Sequence, residues 1–114
     1  MSLERNNYKK DDCLIVELIG DLDIFSGDEF KDEMLKILRN ERLNMVIDAK
    51  DLEYIDSKGL GALIGIYKFQ KESNKTITII NVKSNVKKIF EITKLDEIFN
   101  IKEAACSRTP SILF

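Results

Sequence analysis

The sequence predicts an α/β fold, a sheet of four or five strands, mostly parallel, with helices packed on it. Three observations carry that expectation. Short apolar, β-branched runs alternate with segments of helical periodicity from residue 13 to about residue 103. The segments between the strands are too long for hairpins, so neighbouring strands must run parallel through right-handed crossovers. The chain has 114 residues, 44% of them hydrophobic and 33% charged, with one proline and five glycines. Those proportions suit one domain with a single core and favour a folded chain over disorder.

The elements follow in order. Residues 13–19, CLIVELI, form an apolar run between Asp11-Asp12 and Gly20 and read as a strand. A weaker strand over 3–9 precedes it, joined by a tight turn at the aspartate pair and antiparallel to it. In FSGDEF, Ser26 and Glu29 have the spacing of a capping box, with Phe25 and Phe30 placed as a hydrophobic staple. Phe30, Met34, Ile37 and Leu38 then recur at helical spacing, which predicts a helix over 26–40. NMVIDAK (44–50) reads as a buried strand, 57–73 as a glycine-rich helix and TITIIN (76–81) as a β-branched strand. Ser84 opens a third helix with Val86, Ile89 and Phe90 on one face. LDEIF (95–99) reads as a helical turn and NIK as a last strand. Residues 104–114, which include Pro110, continue none of these patterns.

Composition removes several functions. The net charge is −2, so the basic footprint expected of a nucleic-acid binder is missing. There is no histidine, and Cys13 and Cys106 lie too far apart for a metal-ligand spacing. The first ten residues lack the apolar stretch of a signal peptide, and no run reaches the ~18 residues of a membrane span. The expectation is a cytoplasmic protein without cofactor or metal, with Cys13 a small buried hydrophobe in a reducing compartment.

The chemistry concentrates in YIDSKGLGALIG, residues 54–65, where Gly59, Gly61 and Gly65 enter a helix. Each glycine costs that helix about 0.8–1 kcal/mol relative to alanine. A phosphate-binding P-loop is excluded because no Lys-Ser or Lys-Thr follows the second glycine. A dinucleotide fingerprint is excluded because its third glycine falls on Ile64. Two readings of Ser57 remain: the N-cap of the helix, worth about 1 kcal/mol, or a hydroxyl offered to another protein beside glycines that leave the backbone bare. The helix also carries Leu60, Leu63, Ile64 and Tyr67 on one face and Ala62, Ile66 and Phe69 on the next. So broad an apolar surface predicts partial exposure and a protein-binding patch, unless the third helix or the tail covers it.

DLEYIDSKGLGALIGIYK resembles the signature of STAS domains, in particular the anti-sigma factor antagonists of bacterial sporulation and stress responses. Leu52, Tyr54, Ile55, Asp56, Ser57, Gly59, Leu60 and Gly61 match it, and Gly20–Asp23, GDLD, resembles the element ending the family's preceding strand. The likeness spans about residues 1–103. It implies a STAS-like domain that binds an anti-sigma factor which is also a serine kinase of the GHKL type, thereby freeing a sigma factor. It further implies phosphorylation of Ser57 as the off-switch, a PP2C-type phosphatase as the reset, and no catalysis by the antagonist itself. The partner-binding residues implied are Asp21, Asp23, Asp56, Lys58, Gly59, Leu60, Gly61 and Ile64. Lys58 departs from the small residue usual there; it is expected to pair with the phosphate or Asp56, to tune kinase choice, or simply to be solvated. The alternative within the family is a scaffold or transporter-associated subunit that phosphorylation does not switch.

Overall fold

The computed structural model describes residues 3–103. Cys106, Pro110 and the rest of 104–114 lie outside the described residues. Five strands form one sheet in the order β1-β2-β3-β4-β5: β1 Leu3–Lys10, β2 Cys13–Leu22, β3 Asn44–Ile55, β4 Ile77–Val82 and β5 Asn100–Glu103. Strand β1 pairs antiparallel with β2, and every other pair is parallel. Asp11 closes the β1–β2 turn with φ at 57°, a left-handed backbone that aspartate tolerates. The helices are α1 Gly27–Asn40, α2 Ser57–Glu72 and α3 Ser84–Ile92, with a short 3-10 turn at Leu95–Glu97.

The strand order dictates where the helices go. Each βαβ crossover steps one strand further in the same direction, and right-handed connections then place every helix on the same face. The main core accordingly joins Val16, Leu18, Met45, Ile47 and Ile79 of the sheet to Phe30 and Met34 of α1, Leu63 and Ile66 of α2, and Phe90 of α3. The opposite face holds a separate small cluster of Ile15, Val46 and Ile80, with Cys13 partly buried against it.

Two predicted details give way. Strands β2 and β3 run on to Leu22 and Ile55, well past 19 and 50, through register shifts after Glu17 and Gly20. Such bulges let a strand continue through a local twist. The capping box and staple predicted for α1 do not form. Ser26 makes no side-chain cap bond, and Phe25 is 82% exposed while Phe30 is fully buried.

Helix α2 is tied at its far end by Gln70. The side chain is buried, and its Nε2 donates to the Leu43 carbonyl at 2.8 Å and the Thr76 carbonyl at 2.9 Å. These carbonyls lie at the starts of β3 and β4. Replacing Gln70 by Met takes this donor from the Leu43 carbonyl, whereas the Thr76 carbonyl keeps Met45 N. A buried unsatisfied acceptor costs about 1–3 kcal/mol, offset in part because the Gln70 Oε1, itself buried without a partner among the described residues, is also removed. The expected loss in urea-melt stability is therefore about 1–3 kcal/mol; an unchanged midpoint would show that water replaces the amide without loss.

Candidate functional site

Strands β2 and β3 end side by side, with Leu22 opposite Ile55. The turn into α1 and the start of α2 therefore lie together at the carboxyl edge of the parallel strands, the edge on which open α/β sheets build their sites. The two turns are joined through Asp56. One carboxylate oxygen, Oδ1, accepts from Lys58 N at 2.9 Å and Gly59 N at 3.0 Å. The other, Oδ2, accepts from Ile24 N at 3.1 Å. Asp56 N donates to the Leu22 carbonyl at 3.3 Å.

The N-cap of α2 is thus Asp56, with extended backbone at φ −117°, ψ −171°. The reading of Ser57 as the cap is corrected. A carboxylate satisfies two orphan N–H groups and also sits at the positive end of the helix dipole. Ser57 becomes the first helical residue; it is exposed, and its hydroxyl has no hydrogen-bond partner among the described residues.

A second set of bonds shapes the loop after β2. Asp23 is buried, and its Oδ1 accepts from Phe25 N at 3.0 Å. Ser26 Oγ accepts from Asp23 N at 3.0 Å and lies 3.1 Å from the Asp21 carbonyl and 3.2 Å from Asp23 Oδ1, with one proton to give. The Asp23 carbonyl takes Ser26 N and Gly27 N at 3.1 and 2.7 Å. Ser26 is consumed in closing this loop, which explains the missing capping box. The loop then turns Ile24 (63% exposed) and Phe25 (82%) into solvent. Half-exposed Tyr54 stands opposite Asp21 across the two strands.

The apolar surface expected on α2 is therefore displaced onto the neighbouring loop. Leu60, Ala62, Leu63 and Ile66 are buried, and Leu60 faces the core. Ile64, Tyr67 and Phe69 pack half-buried against that core. Both flanks of the helix are covered: the Arg42 guanidinium lies 5.2 Å from the Phe69 ring centre, and Phe99 meets Tyr67 edge-on at 5.6 Å. Ile24 and Phe25 were missed because their spacing imitates a staple. Polar residues on either side, Asp21 and Asp23 before them and Ser26 after, were the available signal.

The glycines separate into distinct roles. A Cβ on Gly59 would stand 2.3 Å from the Leu22 carbonyl oxygen and 2.9 Å from Ile55 Cγ1. Here the helix needs close approach to the strand ends. A Cβ on Gly65 would meet only the flexible Lys31 side chain, and one on Gly61 nothing within 4 Å. Only Gly61, of the three, leaves bare backbone at an open surface. Lys58 pairs not with Asp56 but with Asp28 of α1, at 3.5 Å. Both partners are solvent-exposed, so the pair is worth about 0–1 kcal/mol.

Among the described residues no cluster of histidine, cysteine or acidic side chains can hold a metal, and no helix is long and apolar enough to cross a membrane.

With this geometry in place, the sequence defines a class: residues 4–105 match the STAS domain model, and the chain belongs to the STAS family. Among its curated relatives are the anti-sigma-B factor antagonists of Staphylococcus epidermidis and Staphylococcus aureus. Each is 24% identical over 103 residues, which is 90% of this chain and 95% of the relative. A crystal structure from Thermotoga maritima, of a proposed anti-sigma factor antagonist, superimposes with a TM-score of 0.82 at 25% identity, covering 87% of this chain and 86% of that one. The fold is shared with the Bacillus cell-fate determinant SpoIIAA in its phosphorylated form, at a TM-score of 0.70 and 13% identity, over 97% of this chain and 96% of that one.

Two substitutions at the glycines should act in opposite directions. Gly59→Ala forces a methyl into backbone and should destabilise by about 1–3 kcal/mol, as overpacking does. Gly61→Ala should stabilise by up to about 1 kcal/mol, because it gains helix propensity in open space. Thermal melts of both variants check the pair; a stabilising Gly59→Ala would contradict the close approach.

Proposed function

We propose that this chain is an anti-sigma factor antagonist, which docks on an anti-sigma factor through the surface around Ser57 and is released when Ser57 is phosphorylated. The observation that carries the reading is the division of labour between neighbours. Asp56 caps the helix end, so the Ser57 hydroxyl is exposed and without a hydrogen-bond partner among the described residues. The relatives named as antagonists of anti-sigma-B factor supply the partner class, and SpoIIAA, which shares the fold, exists in phosphorylated form.

Docking draws on two kinds of surface. Phe25 and Ile24 offer apolar side chains of the sort that anchor protein interfaces, while Gly61 lets a partner approach the backbone of α2. Asp21, Asp23, Asp56 and Lys58 frame the contact. Leu60, Gly59 and Ile64 act from beneath, by fixing α2 on the strand ends.

The electrostatics favour release without a change of shape. A phosphoserine carries about −1.5 to −2 charges. The helix dipole would stabilise it by about 0.3–1 kcal/mol, but Lys58 N–H and Gly59 N–H are already taken by Asp56. The carboxylate next door opposes it, by up to about 4 kcal/mol if the charges approach to 4 Å at an effective dielectric of 20. The domain gains little from the group, and a docked partner must strip water from it. A loss of about 3–4 kcal/mol at the contact weakens binding by two to three orders of magnitude. The donor in this scheme is a GHKL-type kinase, the anti-sigma factor itself, and a PP2C-type phosphatase restores the serine.

The test is incubation with the anti-sigma kinase of the same genome and ATP, followed by peptide mass spectrometry. Phosphate is expected on Ser57; phosphate elsewhere, or none, rejects the switch. In titrations, Ser57→Ala should keep the affinity, whereas Ser57→Asp should lower it at least about tenfold, or 1.4 kcal/mol. Phe25→Ala should lower it to a similar degree with an unchanged melting temperature, since an exposed side chain contributes little to folding. Equal affinities throughout would leave no docking surface at this edge.

A further inference from the structure

Lys58 follows Ser57 directly, and its side chain runs toward α1. A Cβ placed on Gly27 would stand 3.4 Å from Lys58 Cγ and 3.1 Å from the Lys58 carbonyl oxygen, so a side chain at residue 27 would crowd that stem. The stem ends at Asp28, with Nζ 3.5 Å from Oδ2. The ammonium is thus parked on the first turn of α1, beside the first turn of α2 that carries the Ser57 hydroxyl. Two other lysines near this edge are engaged elsewhere. Lys83 holds Glu53 at 2.6 Å, and the Lys31 stem lies against Gly65, about two turns down α2.

We propose that this ion pair exchanges partners: once Ser57 is phosphorylated, the Lys58 ammonium leaves Asp28 for the phosphate, and the bared Asp28 carboxylate becomes a second negative charge facing a docked partner. The inference rests on the reading of Ser57 as the modified residue. Exposed lysine–carboxylate pairs are weak, and these two side chains are 48% and 71% exposed, so little holds the ammonium in place. Asp28 lies in the first turn of α1, where the helix dipole favours a carboxylate with or without a lysine. The phosphate attracts more strongly: at equal distance a dianion draws a cation about twice as hard as one carboxylate does. It also finds two backbone donors already taken, because Asp56 accepts from Lys58 N and Gly59 N. Reach is no obstacle. Neighbouring side chains on a helix point about 100° apart, but their Cα atoms are only about 3.8 Å apart, and lysine carries its charge on a flexible four-carbon stem.

The exchange moves charge without moving backbone. Phosphorylation alone would add a dianion to α2. With the exchange, the phosphate is partly neutralised and α1 gains an unpaired carboxylate, so the change of charge spreads over both helix starts. Lys58 then sets how the modification is presented to a partner, and Asp28 joins the residues that the partner meets.

The test uses the full chain with phosphoserine incorporated at position 57 during translation, so it needs neither kinase nor partner. A kinase that spares Ser57 would reject the proposed switch and leave this measurement standing. The pH midpoint of the phosphorus NMR signal, about pH 6 for a phosphoserine, is compared among the phosphorylated parent, Lys58→Met and Lys58→Arg. A neighbouring cation favours the dianion and lowers the midpoint. Lys58→Met should therefore raise it by at least about 0.3 pH units, while Lys58→Arg should keep it. Above that midpoint, the carboxylate carbon signal of Asp28 should shift on phosphorylation of the parent and shift less in the Lys58→Met variant. Equal phosphorus midpoints in the parent and Lys58→Met would overturn the exchange. So would an Asp28 signal that moves as far in Lys58→Met as in the parent, since the carboxylate would then sense the phosphate only across space.

Discussion

The Asp56 carboxylate holds the functional edge together. With one oxygen it closes the first turn of α2, and with the other it fastens the loop leading into α1. A capping bond is worth about 1 kcal/mol, a modest figure for a fold. Its consequence is mainly positional. Two crossovers that are unrelated in sequence, 32 residues apart, are locked into one surface. The close approach at Gly59, where the Leu22 carbonyl leaves no room for a Cβ, brings α2 near enough for that carboxylate to reach both turns. The glycine and the aspartate are therefore two halves of one constraint.

That constraint decides what is left over. Since Asp56 occupies the N–H groups at the helix end, Ser57 is relieved of a structural task and projects from the first turn. Since Asp23 and Ser26 bond to each other and to the loop backbone, the residues between them must point outward. Ile24 and Phe25 are exposed for that reason, and not for want of a core to enter. A hydroxyl and a pair of apolar side chains thus share an edge where Asp23, Ser26 and Asp56 already bond much of the backbone of both turns. A binding surface of this kind needs little reorganisation when a partner arrives, which keeps the cost of ordering low.

Most of the architecture was legible in the sequence because it rests on periodicity. The β-branched runs, the α1 stripe of Phe30, Met34 and Leu38, and the long connections sufficed for the order of elements along the chain and a mostly parallel sheet; the strand order and the single helical face came from the structure. Failures came where one local pattern serves two geometries. Ser26 followed by Glu29 is a capping box only if the Ser26 hydroxyl is free to turn toward the helix; here Asp21 and Asp23 hold it. Asp56-Ser57 offers two good caps in a row, and the sequence does not say which backbone will be extended. The breadth of apolar residues on α2 was read as exposure. Yet α2 is the middle helix of a single layer, and Arg42 and Phe99 cover its flanks. Those partners lie 27 and 32 residues from Phe69 and Tyr67, beyond any local window.

The same one-sided layering gathers the elements that form the edge around Ser57, the edge proposed above to dock another protein. If crossovers alternated direction, helices would cover both faces of the sheet and their starts would be divided between them. Successive steps in one direction instead gather the N-termini of α1 and α2 on one rim, with β2 and β3 ending level beneath them. Positive helix ends then face outward together, and the acidic residues of this rim, Asp28 and Asp56, sit where the dipoles favour them. The dianion proposed for Ser57 would enter a place where that favourable field has already been spent on carboxylates. On the proposed reading, the added charge would remain exposed to a docked partner, and one modification would govern binding while the fold beneath it stays as it was.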